Sequence, residues 1–273
     1  HWKGDARLIK KYIYMSGDTI DWLQDMGVEF HDVARYFPGS EQTWHIVKPP
    51  SGKPGPRSAS EMYRIMTERA EDMGVKIMLE TPAKSLIKED GKVAGVVALD
   101  NSGDTVEVRA KAVIIATGGY GNNAEMIQKY LGYEQGRDLF SFRIPGITGD
   151  GIRMAWEAGA GKSEMSLELI LGIPDVSDAS VSIPWRQPSA VIVNLQGERF
   201  MPEELIQNTP FTANAISRQK NRFSLSIIDS GIIKHFQRKG FDIVHGVFSG
   251  SLSKEFEQDI QSLIDGGNHS FFI

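Results

Sequence analysis

Residues 111–123 read KAVIIATGGYGNN. A run of branched and small apolar residues, 112–116, leads into Thr117 and then into Gly118, Gly119 and Gly121. Apolar continuity without alternation predicts a strand covered on both faces. The paired glycines leave no Cβ in the way of an approaching atom, and Thr117 adds a hydroxyl. That atom belongs either to another stretch of backbone or to a bound cofactor. The plainer reading is a tight strand-to-helix turn in which Asn122 or Asn123 caps the next helix. The residues alone leave both open. No G-x-G-x-x-G occurs in the chain, so the phosphate-cradling fingerprint itself is absent.

The sequence just upstream predicts a meander. AKSLIKE (83–89), VAGVVAL (93–99) and TVEVRA (105–110) read as strands, with Asp90-Gly91 and Ser102-Gly103 as hairpin signals. VKIMLE (75–80) reads as a further strand. Before it, residues 58–73 predict a helix, with Ser58 and Glu61 at capping-box spacing and Met62, Ile65, Met66, Ala70 and Met73 along one face. Residues 5–14 and 18–26 predict two short helices, the second stopped by Gly27. The Pro- and Gly-rich stretch 36–57 predicts a long loop, a kind of segment that often carries function. Downstream, helices are expected near 123–131, 149–158, 211–219 and 252–264. The patterning becomes less regular from about residue 166, which places a domain boundary near 165. The expected fold class is α/β with mixed α+β character.

Composition narrows the function classes. With 41% hydrophobic and 24% charged residues, the chain has ordinary globular composition, and 273 residues allow one or two domains. A net charge of −5 with no basic tract argues against nucleic acid as a partner. The absence of cysteine excludes disulfides, thiolate metal sites and a cysteine nucleophile. No apolar run reaches the roughly 18 residues a membrane span needs. The chain starts without methionine and stops on an apolar run, so both ends read as cuts inside a longer protein. The compartment, cytoplasmic or bacterial periplasmic, stays open.

Three motifs in order, KAVIIATGGYGNNAEMIQKY, TGDGIRMAWEAGA and VNLQGERFMPEE, resemble the FAD-dependent fumarate reductase / succinate dehydrogenase flavoprotein family, in its soluble bacterial style. The resemblance spans about residues 58–204. It implies that 1–165 form the central portion of an FAD domain with two dinucleotide-binding parts. The family's glycine fingerprint would lie upstream of this chain. Residues 166–273 would then form an α+β capping domain. It implies FAD as cofactor, with Ala83, Thr117, Gly118, Gly119 and Asp150 beside it. From the residues alone, Asp150 is equally a first-turn carboxylate favoured by the helix dipole.

The resemblance also implies substrate machinery that this chain largely lacks. The position of the family's proton-donating arginine falls on Gln207, that of its substrate histidine on Leu171, and that of a relay glutamate on Ile183. Arg186 alone matches, at the relay's other arginine. The expectation is therefore hydride transfer between flavin and a C=C or CH–CH unit in a substrate other than fumarate, less charged than a dicarboxylate. The electron donor is unassigned. Two alternatives stand beside it: a non-catalytic cap fragment without FAD, and a flavoenzyme resembling the ketosteroid dehydrogenases. None of the six histidines shows metal-ligand spacing. His45, beside Trp44 in the predicted loop, is kept as a substrate-side candidate, and no metal is expected.

Overall fold

The computed structural model describes residues 4–35, 39–55, 58–140, 145–170, 179–242 and 252–267. Its elements follow in order as α1 (Ala6–Asp25), β1 (Phe30–Arg35), β2 (Gln42–Val47), α2 (Ala59–Asp72), β3 (Ala83–Glu89), β4 (Lys92–Leu99), β5 (Thr105–Arg109), α3 (Ala124–Leu131), α4 (Asp150–Glu157), α5 (Ala179–Ser182), β6 (Val191–Val193), α6 (Thr209–Ser217), β7 (Leu225–Ile227), α7 (Ser230–Lys239) and α8 (Phe256–Asp265). Short 3₁₀ turns cover Pro184–Arg186, Glu203–Leu205 and Lys220–Arg222. The architecture is mixed α/β.

The chain divides into two compact units. Met73–Leu167 make the body of one, and Ala6–Asp72 with Glu168–Ile273 make the other.

In the first unit β3, β4 and β5 form an antiparallel meander in sequence order. Its first turn is Asp90-Gly91, with φ of +51° and +78° at the two residues. That pairing of positive φ values matches the twist of flanking strands. At the second turn the Asp100 carboxylate accepts the N–H groups of Ser102 and Asp104, each at 2.9 Å. Gly95 sits where strand β5 presses in: a side chain there would strike the carbonyl of Val108. Helix α3 starts on Asn123, whose side chain accepts the Met126 N–H at 2.9 Å, and stops at Gly132 in the left-handed region. Tyr120, Met126 and Ile127 form the buried centre between α3 and α4, with Tyr130, Ile152 and Trp156 packed around them.

In the second unit β1 and β2 form an antiparallel hairpin, and β6 pairs antiparallel with β7. Val181, Ile183, Phe236, Phe241, Leu252, Phe256 and Ile260 make its main core.

Four local expectations are corrected. The two N-terminal helices are one: α1 runs through Gly17 and Asp18, and Ser16 and Thr19 fold their hydroxyls back onto the carbonyls of Ile13 and Met15. The side-chain competition that marks helix ends is absorbed inside this helix. The 36–57 loop contains β2, which reaches from Gln42 to Val47 between the prolines. The capping box at Ser58 does not close. The Ser58 hydroxyl accepts from the Gly55 N–H, and Glu61 turns instead to Arg64. Finally, 75–80 and 112–116 are not strands, and Ile114 is 91% exposed. An apolar run becomes a strand only when neighbours supply hydrogen bonds and cover, and no described residue pairs with either segment.

Candidate functional site

Two groups of candidate residues emerge, one in each unit. The first is a corner at the N-terminal end of α4. Gly149 precedes the helix with φ +81°, and Asp150 opens its first turn. The loop before α4 lies against the glycine stretch through main-chain bonds. The Gly149 N–H donates to the Gly119 carbonyl (3.1 Å) and the Asn122 N–H to the Ile147 carbonyl (3.0 Å). The Asn123 amide adds a bond to the Thr148 carbonyl at 2.7 Å. The helix itself then approaches residues 115–117 closely. A Cβ at Gly151 would fall on the Thr117 hydroxyl and within 2.5 Å of Ile115, and one at Gly149 within 2.5 Å of the Met126 sulfur. Both glycines of T-G-D-G are thus required by packing. The sequence reading passed over Gly151, although its place one residue after Asp150 was the available signal.

The paired glycines have two different neighbourhoods. Gly118, with φ +73°, has Ile147 on its Cβ side, whereas nothing lies within 4 Å of where a Gly119 Cβ would sit. The Ile147 side chain therefore covers this stretch at Gly118, whereas Gly119 offers bare, exposed main chain. Thr117 is exposed beside it. Asp150 accepts the Thr148 hydroxyl (2.9 Å) and an Arg153 N–H (2.5 Å). The Thr148 bond chiefly, then Arg153 and the charge of Lys84, hold its carboxyl below the usual aspartate range. Ala83 joins the corner from β3. That strand lies along α4, with Lys84 towards Asp150 and Lys88 Nζ donating to the Ala158 carbonyl at the other end (3.1 Å). All five residues expected beside a cofactor thus belong to the first unit. Chemically the corner offers an ionised, half-exposed carboxylate and backbone open on the Cβ side of Gly119.

The second group lies in the other unit. Arg186 closes the 3₁₀ turn Pro184–Arg186 and is half-buried. Gln207, only 5% exposed, donates from Nε2 to the Arg186 carbonyl. The two sequence positions compared with the family's arginines are therefore neighbours. Ile183, the relay position, is packed in the hydrophobic core with Val181 and Phe236, so its side chain is structural. Leu171 lies outside the described residues. His45 is placed on β2 and not in a loop. Its ring meets Phe30 edge-on at 5.4 Å, and its Nδ1 lies 3.2 Å from the Thr43 carbonyl.

The motif VNLQGERFMPEE proves to be a brace. Asn194 Oδ1 accepts the N–H groups of Gln196 and Glu198 at 3.0 Å each. Glu203, only 6% exposed, is held by Arg199 through Nε at 2.9 Å and through a second guanidinium nitrogen, and accepts the Ile192 N–H at 3.4 Å. The Arg199 bonds keep the Glu203 carboxyl below the usual glutamate range against the opposing effect of burial.

The sequence pattern of the FAD binding domain family matches residues 1–269. The chain belongs to that family. Its relatives place it among the flavoproteins of fumarate reductase type, a family that binds FAD. It is 31% identical over 258 residues to the vinyl phenol reductase of Lactiplantibacillus plantarum, covering 90% of this chain and 50% of that protein. It is 28% identical over 253 residues to a probable fumarate reductase of Shewanella frigidimarina, covering 91% of this chain and 41% of the relative. The open conformation of a flavocytochrome c3 fumarate reductase superposes with a TM-score of 0.57 at 28% identity, over 81% of this chain and 38% of that one. The chain thus spans half or less of the length of these proteins. Among the described residues no helix is long and apolar enough to cross a membrane, and no group of three acidic or histidine side chains is arranged to hold a metal ion.

Proposed function

We propose that this chain is the central part of an FAD-dependent oxidoreductase whose substrate is a small molecule with an activated C=C bond, other than fumarate. In this reading residues 1–165 belong to the FAD domain and 166–273 to a capping domain that closes over the substrate.

The observation that carries the cofactor assignment is the corner around Gly119. Bare main chain at Gly119 and the ionised Asp150 carboxylate are open here beside Thr117, whose hydroxyl lies against Gly151, and a side chain at 119 would occupy that space. Ala83, Thr117, Gly118, Gly119 and Asp150 are the residues that would hold the group. Asp150 would accept a hydroxyl of the group, and the open Cβ side of Gly119 would leave room for it. When bound, FAD supplies hydride chemistry at its ring system. The chain's own contribution is to orient the substrate and exclude water.

The substrate assignment rests on what stands at the substrate positions. Gln207 is neutral, is buried and has its amide committed to a carbonyl, so it is a poor proton donor. With a leucine at 171 and the buried Ile183, the cap has little to grip a second carboxylate. Arg186 remains as the cationic group, with His45 as a second candidate. A vinyl phenol, which carries no carboxylate, suits this set better than a dicarboxylate.

The deciding experiment assays the intact flavoprotein, with FAD bound, against vinyl phenols, enones, monocarboxylic enoates and fumarate. Turnover of an uncharged or singly charged alkene well above that of fumarate is expected, and preferred turnover of fumarate overturns the reading. The 273-residue chain alone is expected to hold FAD weakly or not at all, because residues 112–116 lack cover. Stoichiometric FAD on the isolated chain overturns that second expectation.

A further inference from the structure

The turn that carries Arg186 is held from outside itself. A three-residue 3₁₀ turn leaves most of its carbonyls without partners of its own, and a buried carbonyl needs a donor. Three side chains supply them. Gln187 Nε2 reaches the Ile183 carbonyl at 3.5 Å, alongside the Arg186 N–H at 2.9 Å. Ser226 Oγ, from β7, donates to the Trp185 carbonyl at 2.7 Å. Gln207 Nε2 donates to the carbonyl of Arg186 itself. Gln187 is fully buried, Gln207 almost so, and Ser226 half-buried.

Gln207 is in turn held in place. The Arg199–Glu203 pair ties the preceding segment to β6 through the Ile192 N–H. The Glu203–Leu205 turn closes with the Ile206 N–H on the Glu203 carbonyl at 3.0 Å, and Ile206 is fully buried. A path of packed and hydrogen-bonded groups thus runs from β6 through Glu203 and Gln207 to the main chain of Arg186.

We propose that Gln207 and Ser226 are positioning residues for Arg186. By fixing the carbonyls on both sides of its Cα, they set the guanidinium before any substrate arrives. An arginine side chain is otherwise costly to order, and a backbone fixed in advance lowers that cost. The proposal rests on the reading of Arg186 as the cation that grips substrate. It gives the amide at 207 a role other than proton donation: the residue works through main chain, not through the reacting atoms.

The test uses the intact, FAD-loaded protein and whichever alkene of the panel it turns over. Gln207→Leu removes the donor at similar volume, Ser226→Ala removes the hydroxyl, and Ser226→Thr keeps it. Both Gln207→Leu and Ser226→Ala are expected to lower kcat/KM by about tenfold to a hundredfold, the scale expected when a binding group is displaced by about 1 Å. Most of that loss should be in KM, and Ser226→Thr should restore it. In an Arg186→Gln background neither change should reduce kcat/KM further, because the group being positioned is gone. A purely structural role would add its loss to that of Arg186→Gln, and that result overturns the proposal. So does wild-type kcat/KM in both variants while Arg186→Gln is crippled, an outcome that leaves the reading of Arg186 intact. Wild-type kinetics in Arg186→Gln sink both. A substrate-free measurement applies to the chain by itself: amide hydrogen exchange at 184–187 should speed up at least tenfold in Gln207→Leu and Ser226→Ala, and unchanged exchange overturns the clamp.

Discussion

At the corner of Gly119 and Asp150, main chain is held by main chain. The Gly149 and Asn122 N–H groups bond to carbonyls across the loop, and Gly151 lets a helix press onto Thr117. At the turn of Arg186, main chain is held by side chains that arrive from β7 and from the segment before α6. The first arrangement needs no side chain to hold its backbone and leaves the Cβ side of Gly119 open. The second buries its polar side chains and spends them on backbone. A corner built the first way tolerates changes of side chain but no added Cβ. A turn built the second way tolerates changes of volume but no lost donor.

The largest effect expected from that contrast is at Gly151. Gly151→Val puts branched carbon where the Thr117 hydroxyl and Ile115 already lie, an overpacking cost of about 3 kcal/mol. Urea unfolding should show that loss in the transition of residues 73–167. A Gly151→Val protein of unchanged midpoint would mean that the helix does not press on the glycine stretch. Next is Glu203→Ala, which deletes a buried acceptor and leaves the Ile192 N–H without it, at about 2 kcal/mol. This loss should appear in the transition of the other unit. If one variant shifted both transitions equally, the two centres would not be independent, and the contrast would fail. Asn123→Ala removes a helix cap and the bond to Thr148, at about 1 kcal/mol by denaturation.

Acid unfolding follows with a defined sign. The folded pKa values of Asp150 and Glu203 lie below their unfolded values, so both groups stabilise fully above about pH 4.5. That contribution fades as pH falls through the lower folded values. A stability curve that rose on acidification below about pH 4 would contradict the hydrogen bonds assigned to these carboxyls. The smallest change in stability is expected for Asp150→Asn, because the side chain is half exposed and the amide can still accept from Thr148. Its effect belongs instead to FAD retention by the intact protein. Weakened retention with an almost unchanged melting temperature sharpens the contrast, and undiminished retention removes Asp150 from the cofactor reading.

Features whose causes lie within a few residues were legible in the sequence. The meander matched its expected strands almost residue for residue, because Asp90-Gly91 and Asp100–Asp104 carry their own turn geometry. Helix α3 was legible through Asn123 and Gly132, which cap it locally. Helix α2 kept its predicted face, with Met62, Ile65, Met66 and Ala70 half-buried and Met73 exposed beyond the last turn. Features that depend on distant partners were not legible. The apolar run at 112–116 speaks only of what that segment would bury, and no described residue pairs with it. Strand β2 was hidden because prolines on either side of it outweighed a six-residue stretch that pairs with β1. His45 was therefore read on a loop when it stands on a strand.

The sequence by itself determined the family, the mixed α/β character, the turns and caps, and which residue types stand at the glycine corner. Each of these follows from chemistry confined to neighbouring residues or from a pattern carried whole along the chain. Only the tertiary structure decided that Gly151 is packed against Thr117, that Glu203 is held by Arg199 above β6, and that Gln207 and Ser226 bind the carbonyls flanking Arg186. Those contacts join residues whose spacing in sequence follows no period. A buried carbonyl can be satisfied by a donor from anywhere in the chain, and only the folded path of the backbone selects which one.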